Sequence, residues 1–324
     1  MKRIGNIVLF LAAVLLWSCE KAPDVEVNIH ECAVMPSPRA CAGACTLGNK
    51  AYVFGGRDAK GQYLNDLWEY DPQTDTWTSF PTPLKPRVNP SIIAYDGSLY
   101  MGLGFAHGAI YYRENNLQDW WKWNPMTNKW DSLAAYPNKT TNAATSFVVS
   151  GRIYVMYGAS DGFSREIKYY KPEKNCWTEL PDNYHRALSV FRGVGGVCQG
   201  KTYFGLGHNI HSVSQWYLVF LNADQWKKLS SLPGKGRTFS ACSGNNQYIY
   251  VFGGRYFAGE HTGGEVFADI WRYDPVEDQW ARGGLMPCGK AENQIAFTID
   301  NKVYFGLGED ENGKLLNTLY RIEE

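Results

Sequence analysis

Residues 51–81 read AYVFGGRDAKGQYLNDLWEYDPQTDTWTSFP, and this stretch decides the fold. The apolar run Tyr52, Val53, Phe54 stops at the pair Gly55–Gly56. After a polar loop, residues 65–70 alternate in character up to Tyr70, and Asp71-Pro72 then turns the chain towards Trp77. Alternation with a period of two, punctuated by glycine and proline turns, predicts short strands and argues against a helix. The stretch recurs. Gly253–Gly254, Asp269 to Pro275 and Trp280 nearly copy it, and looser copies follow Gly102, Gly158, Gly205 and Gly306.

The first glycines of these units (Gly55, Gly102, Gly158, Gly205, Gly253, Gly306) are 47, 56, 47, 48 and 53 residues apart. A period of about 50 with four short strands per unit resembles a kelch-type β-propeller. The glycine pair, the tyrosine before Asp-Pro and the tryptophan some seven residues later carry that resemblance, which covers almost everything after residue 28. Residues 32–39 (CAVMPSPR) align with 80–87 (FPTPLKPR), the end of a repeat, whereas the last repeat stops after Ile322 without an outer strand. The expected fold is therefore all-β, a six-bladed propeller spanning 29–324 in which the N-terminal strand, within Ile29–Pro36, completes the last blade against Leu315–Ile322. Such closure pairs both chain ends in one sheet and leaves no open ring edge.

Lys plus Arg equals Asp plus Glu at 32 each in 324 residues. Without residues 1–18 the balance is 30 against 32, because Lys2 and Arg3 are lost. Duplex nucleic acid and anionic membrane surfaces select strongly basic faces, so neither is an expected partner. The basic start, the apolar run Ile7 to Trp17 and Leu16-Trp17-Ser18-Cys19 resemble a bacterial lipoprotein signal. The run is short for a membrane span of about 20 residues. The expectation is a signal peptide over 1–18, lipidation at Cys19, a tether over 19–28, and an envelope protein held at the outer membrane through acyl chains alone. Seven further cysteines form no CxxC or Cys/His cluster, and their odd count suits buried free thiols better than a disulfide framework.

Trp77, Trp130, Trp177, Trp226 and Trp280 occupy one repeat position. Periodic tryptophans of this kind pack between blades and are no sugar platform. The Gly-Leu-Gly triplets at 102, 205 and 306 lack the helix a nucleotide loop needs.

The kelch resemblance implies a ligand face built from the loops after each glycine pair and those leading into each inner strand. These positions give a candidate ligand set of Arg57, Asn89, His107, Arg192, His208, Arg255, Asn293 and Glu309, with Asn142 and Arg237 at related positions. Arginines around a shallow funnel attract a carboxylate, since guanidinium holds planar anions through two bonds. The chain also resembles periplasmic sialic-acid mutarotases, whose pattern is a glutamate after a glycine with an arginine some six residues on. Gly308-Glu309 matches the first element. The second falls at Leu315 beside Lys314. That resemblance implies Glu309 and Lys314 as an acid–base pair. A resemblance to galactose oxidase implies copper, but the six histidines offer only His208 and His211 close together. Neither a metal nor a cofactor is expected. The function expected is a monomeric binding module for a glycan, an acidic ligand or a protein; the alternative is a carbohydrate mutarotase or epimerase.

Overall fold

The computed structural model describes residues 22–106, 115–137, 142–160, 162–163, 166–181, 190–222, 225–259 and 263–323. The expected signal segment, Cys19 and His107 lie outside them. Six four-stranded antiparallel sheets are arranged as the blades of a propeller. The first blade comprises Gly43–Leu47, Lys50–Phe54, Leu67–Asp71 and Thr76–Phe80, paired in that order from axis to rim. The next four begin with the inner strands Ser91–Tyr95, Thr145–Val149, Val194–Cys198 and Ala241–Gly244.

The sixth blade takes Ile295–Ile299, Lys302–Gly306 and Leu319–Glu323 from the end of the chain and Asn28–Cys32 from its start. Asn28 pairs with Glu323 and Cys32 with Leu319, as the repeat alignment requires. Just before this strand, the Val25 N–H donates to Arg282 O and the Arg282 N–H donates to Pro23 O, both at 2.8 Å. Part of the expected tether is thus laid along the outer strand of the fifth blade.

Side-chain size follows the distance from the axis. Inner strands are rich in small residues because six of them converge; a Cβ on Gly195 would lie 2.4 Å from the Phe147 ring and 2.6 Å from Tyr203 O. Second strands such as Ser98–Gly102 are buried throughout. Third strands supply large rings, and Trp120, Trp123 and Trp216 are fully buried. Each of the described cores straddles a seam. Ala51, Val53 and Tyr70 of the first blade pack against Cys32, Ile295, Phe297 and Tyr304 of the last.

Two hydrogen-bonded modules recur with the repeat. In the first, the buried Arg39, Arg87 and Arg237 each fork onto an aspartate (Asp66, Asp119, Asp269) at 2.6–3.1 Å. The same aspartates accept the indole N–H of Trp68, Trp121 and Trp271. Arg237, which the sequence set among the residues leading into the inner strands, is therefore a structural residue of the fifth blade. In the third blade the cation comes instead from the third strand, Ile167–Lys171: Lys168 takes the place of the indole and pairs with Glu166.

In the second module, Tyr70, Tyr170 and Tyr273 donate through their hydroxyls to Asp75, Asn175 and Asp278. Those turn residues also accept the N–H of Ala33, Ala134 and Ser230 from the preceding blade. Trp77, Trp177 and Trp280 complete the seam by donating to the carbonyls of the same three residues at 2.8–3.0 Å. These periodic tryptophans are seam fasteners, as expected. All seven described cysteines are free thiols, of which Cys32 and Cys198 are buried.

Candidate functional site

Two sixfold sets of residues surround one end of the axis. The first set precedes the inner strands and holds positive φ in every blade: Cys41 (59°), Asn89 (52°), Ala143 (56°), Arg192 (52°), Phe239 (60°) and Asn293 (56°). The left-handed turn brings the backbones together across the seams. Cys41 N–H donates to Asn293 O (3.2 Å), Asn89 N–H to Cys41 O (2.8 Å) and Asn293 N–H to Phe239 O (2.9 Å). Asparagine tolerates this conformation, whereas a phenylalanine adopts it only under constraint.

The second set follows the glycines: Arg57, Phe105, Ala159, His208, Arg255 and Glu309. Gly308 shows why glycine must come before it, since its φ is 85° and a Cβ there would meet Glu292 O at 2.4 Å.

The first set rings a mouth of about 180 Å³, with Ala42, Pro90, Ala144, Val194 and Gln294 completing much of its wall. Below it the axial space continues between the inner strands, lined largely by small side chains.

Three arginines reach the mouth or its rim, and their partners differ. Arg57 of the first blade pairs with Glu309 of the sixth. Burial opposes its charged form, but the carboxylate more than offsets this and raises its pKa above the ordinary arginine value. Asn293 Nδ2 donates to the other oxygen of Glu309 at 2.8 Å. Arg255 forks onto Glu292 at 2.7 and 2.8 Å, and that carboxylate raises its pKa against the opposing effect of burial.

Arg192 is the exception. It lies over the ring of Phe239 at 4.3 Å and donates to Asn293 Oδ1. Both terminal nitrogens face the Cys41 sulfur at 3.8–3.9 Å. The side chain thus runs from the fourth blade across the axis to the first and sixth. Among the described residues no carboxylate pairs with it.

The predicted set is only partly assembled. Arg57, Arg192, Asn293 and Glu309 form one connected network, and Asn89 sits on the same ring, donating to the buried Asn142 at 3.0 Å. Arg255 lies beside them with its own carboxylate. His208 is buried, edge-on to Phe257 at 5.5 Å, and belongs to an aromatic wall behind the mouth. Lys314 is exposed. Its loop is held by the Lys314 N–H donating to Asp310 Oδ1 and the Asp310 N–H donating to Lys314 O, both at 2.9 Å. The cation beside Glu309 comes from the next blade, as Arg57.

Sequence reasoning missed Cys41, Phe239 and Glu292. Cys41 and Phe239 stand two residues after Arg39 and Arg237, as Asn89 follows Arg87, so the fixed offset was available in the repeat.

The fold and this polar axial mouth define a propeller-type binding scaffold. The KLHDC2/KLHL20/DRC7 Kelch-repeats domain matches residues 21–207, and the Kelch motif matches 237–287. The chain belongs to the kelch-repeat family. It is 26% identical to Kelch-like protein 25 of Xenopus tropicalis over 293 residues, covering 86% of this chain and 47% of that protein. It thus spans about half the length of that relative. The N-acetylneuraminate epimerase of Pasteurella multocida is 26% identical over 313 residues, covering 85% of this chain and 75% of the enzyme. The solved structure of YjhT superposes with a TM-score of 0.76 at 16% identity, over 90% of this chain and 99% of that one, which establishes the likeness of fold.

Proposed function

We propose that this protein is an envelope-anchored binding module whose axial mouth receives a carboxylate. The observation that carries this reading is Arg192, a guanidinium reaching across the axis whose two terminal nitrogens face a thiol sulfur, one of them also donating to Asn293 Oδ1, with no carboxylate partner among the described residues. Sulfur is a weak acceptor, and a planar carboxylate is the natural occupant of such an edge. Arg57, Arg192 and Arg255 against Glu309 and Glu292 leave one positive charge in the cluster. The ligand is small, or is the acidic end of a glycan or peptide. Cys19 carries the lipid that holds the module at the outer membrane, following the lipobox pattern of residues 16–19. Arg192→Gln should abolish retention on an immobilised acidic glycan and peptide array while the melting temperature moves by no more than a few degrees. Undiminished retention by that variant rejects the mouth as the site.

A second reading is supported by the likeness to the Pasteurella enzyme and by Glu309 at the rim. In it, Glu309 with Arg57 performs acid–base chemistry on a sugar ring. Anomer exchange of N-acetylneuraminate, followed by proton NMR, tests this directly. Acceleration by the wild type that Glu309→Gln removes supports it, and no acceleration at all discards it.

A further inference from the structure

The mouth is divided by chemistry, and the division specifies what kind of acid fits. On one side stand Arg192, Asn293 and the Arg57–Glu309 pair. On the other, the second, third and fifth blades contribute Pro90, Ala143, Ala144 and Phe239, and the polar groups set among them already donate elsewhere, Asn89 to Asn142 and the Ser240 hydroxyl to Gly253 O. Phe239 is half-buried, touches Phe191 and Phe257 edge-on, and is the one large apolar residue of the six at its ring position. Four of the other five are asparagine, cysteine or alanine, and the fifth is Arg192. A bulky ring kept in the left-handed region where asparagine fits with less strain points to a use for the ring.

Charge sets a second limit. Glu309 and Glu292 are largely buried at the rim, each already matched by an arginine. A second anion on the ligand would face two carboxylates that already hold the neighbouring Arg57 and Arg255 among the described residues, and like charges in a poorly hydrated site repel strongly.

Resting on the carboxylate reading above, we infer that the mouth selects a monocarboxylate head group whose adjoining atoms are flat and apolar. The carboxylate takes the two-nitrogen edge of Arg192, displacing its contact with the Cys41 sulfur. The apolar part lies among Pro90, Ala143, Ala144 and Phe239. Polyhydroxylated acids and dianions are disfavoured, the first for burying hydroxyls against apolar side chains and against donors already committed elsewhere, and the second for the reason of charge.

Titration calorimetry of the full-length protein with sodium benzoate, acetate, gluconate and phthalate tests this. Benzoate is expected to bind at least about tenfold more tightly than acetate or gluconate, with phthalate weaker than benzoate. Phe239→Asn and Ala143→Asn place at these positions the residue already found at 89 and 293. Each should bring benzoate within about threefold of acetate. Equal binding of benzoate, acetate and gluconate, tightest binding of phthalate, or a benzoate preference that survives both substitutions overturns the inference and leaves the carboxylate site standing. If none of the four binds, the carboxylate reading fails with it.

Discussion

Arg57 and Glu309 stand 252 positions apart in the chain and form an ion pair across the seam between the first and last blades. That seam is made where the chain's two ends share a sheet, so the site and the closure of the ring are one structural problem. Removing residues 22–32, which include the closing strand, should therefore cost more than a sheet edge. Loss of a cooperative thermal transition, or a melting temperature lower by well over ten degrees, is expected in circular dichroism. A truncated protein that melts like the wild type contradicts the closure described here.

The ion pair itself invites a double-mutant cycle. Arg57→Gln leaves a largely buried carboxylate with Asn293 as its remaining partner, at a cost of about 1–3 kcal/mol. Glu309→Gln in the same chain should recover much of that loss, since a neutral amide needs no counter-charge. Urea denaturation of the four proteins supplies the coupling energy. Strictly additive losses would mean that the two side chains do not support one another.

Trp280 tests the seam fasteners. It is 4% exposed, lies 4.9 Å from the Tyr273 ring and donates to Ser230 O of the preceding blade at 2.8 Å. Trp280→Phe keeps an aromatic ring and loses the donor, leaving a carbonyl unanswered. A destabilisation of about 1–3 kcal/mol in urea titrations is expected. A change under half a kilocalorie would make the bond incidental.

Asp66 gives the fold a signature in acid. Burial raises its pKa, but the Arg39 guanidinium and the Trp68 N–H overcome this and hold the carboxyl below its ordinary 3.8. A carboxylate with a depressed folded pKa stabilises the native state above its unfolded pKa, and that contribution disappears as pH falls through the folded value. Asp66→Asn should thus be clearly less stable than the wild type at pH 7, with the difference shrinking as pH drops below about 3.8. Equal differences at pH 7 and pH 3 would show that the charge contributes nothing.

The blade count, the strand order and the identity of the closing strand were legible because they rest on local chemistry repeated at a fixed period. Asp71-Pro72, Gly55–Gly56 and Trp77 each dictate a turn or a packing position wherever they recur. The site was less legible because its contacts are between repeats. Nothing near Glu309 in sequence reveals that its cation is Arg57, and Lys314, close along the chain, instead lies exposed, its backbone paired with Asp310 across their own turn. Arg237 looks like Arg192 on the page; a two-residue offset puts one in a buried lock with Asp269 and the other across the axis. Phe239 and Cys41 escaped attention because apolar side chains at a loop end signal function only once the ring geometry is known.

The central claim, that Arg192 is the anion receptor of the mouth, is tested most directly by a crystal structure of the protein soaked with 4-bromobenzoate. The account predicts an anomalous bromine peak in the axial mouth, with the carboxylate oxygens within hydrogen-bond reach of Arg192 Nη1 and Nη2. An empty mouth at saturating ligand, or a carboxylate seated on another arginine, would contradict it.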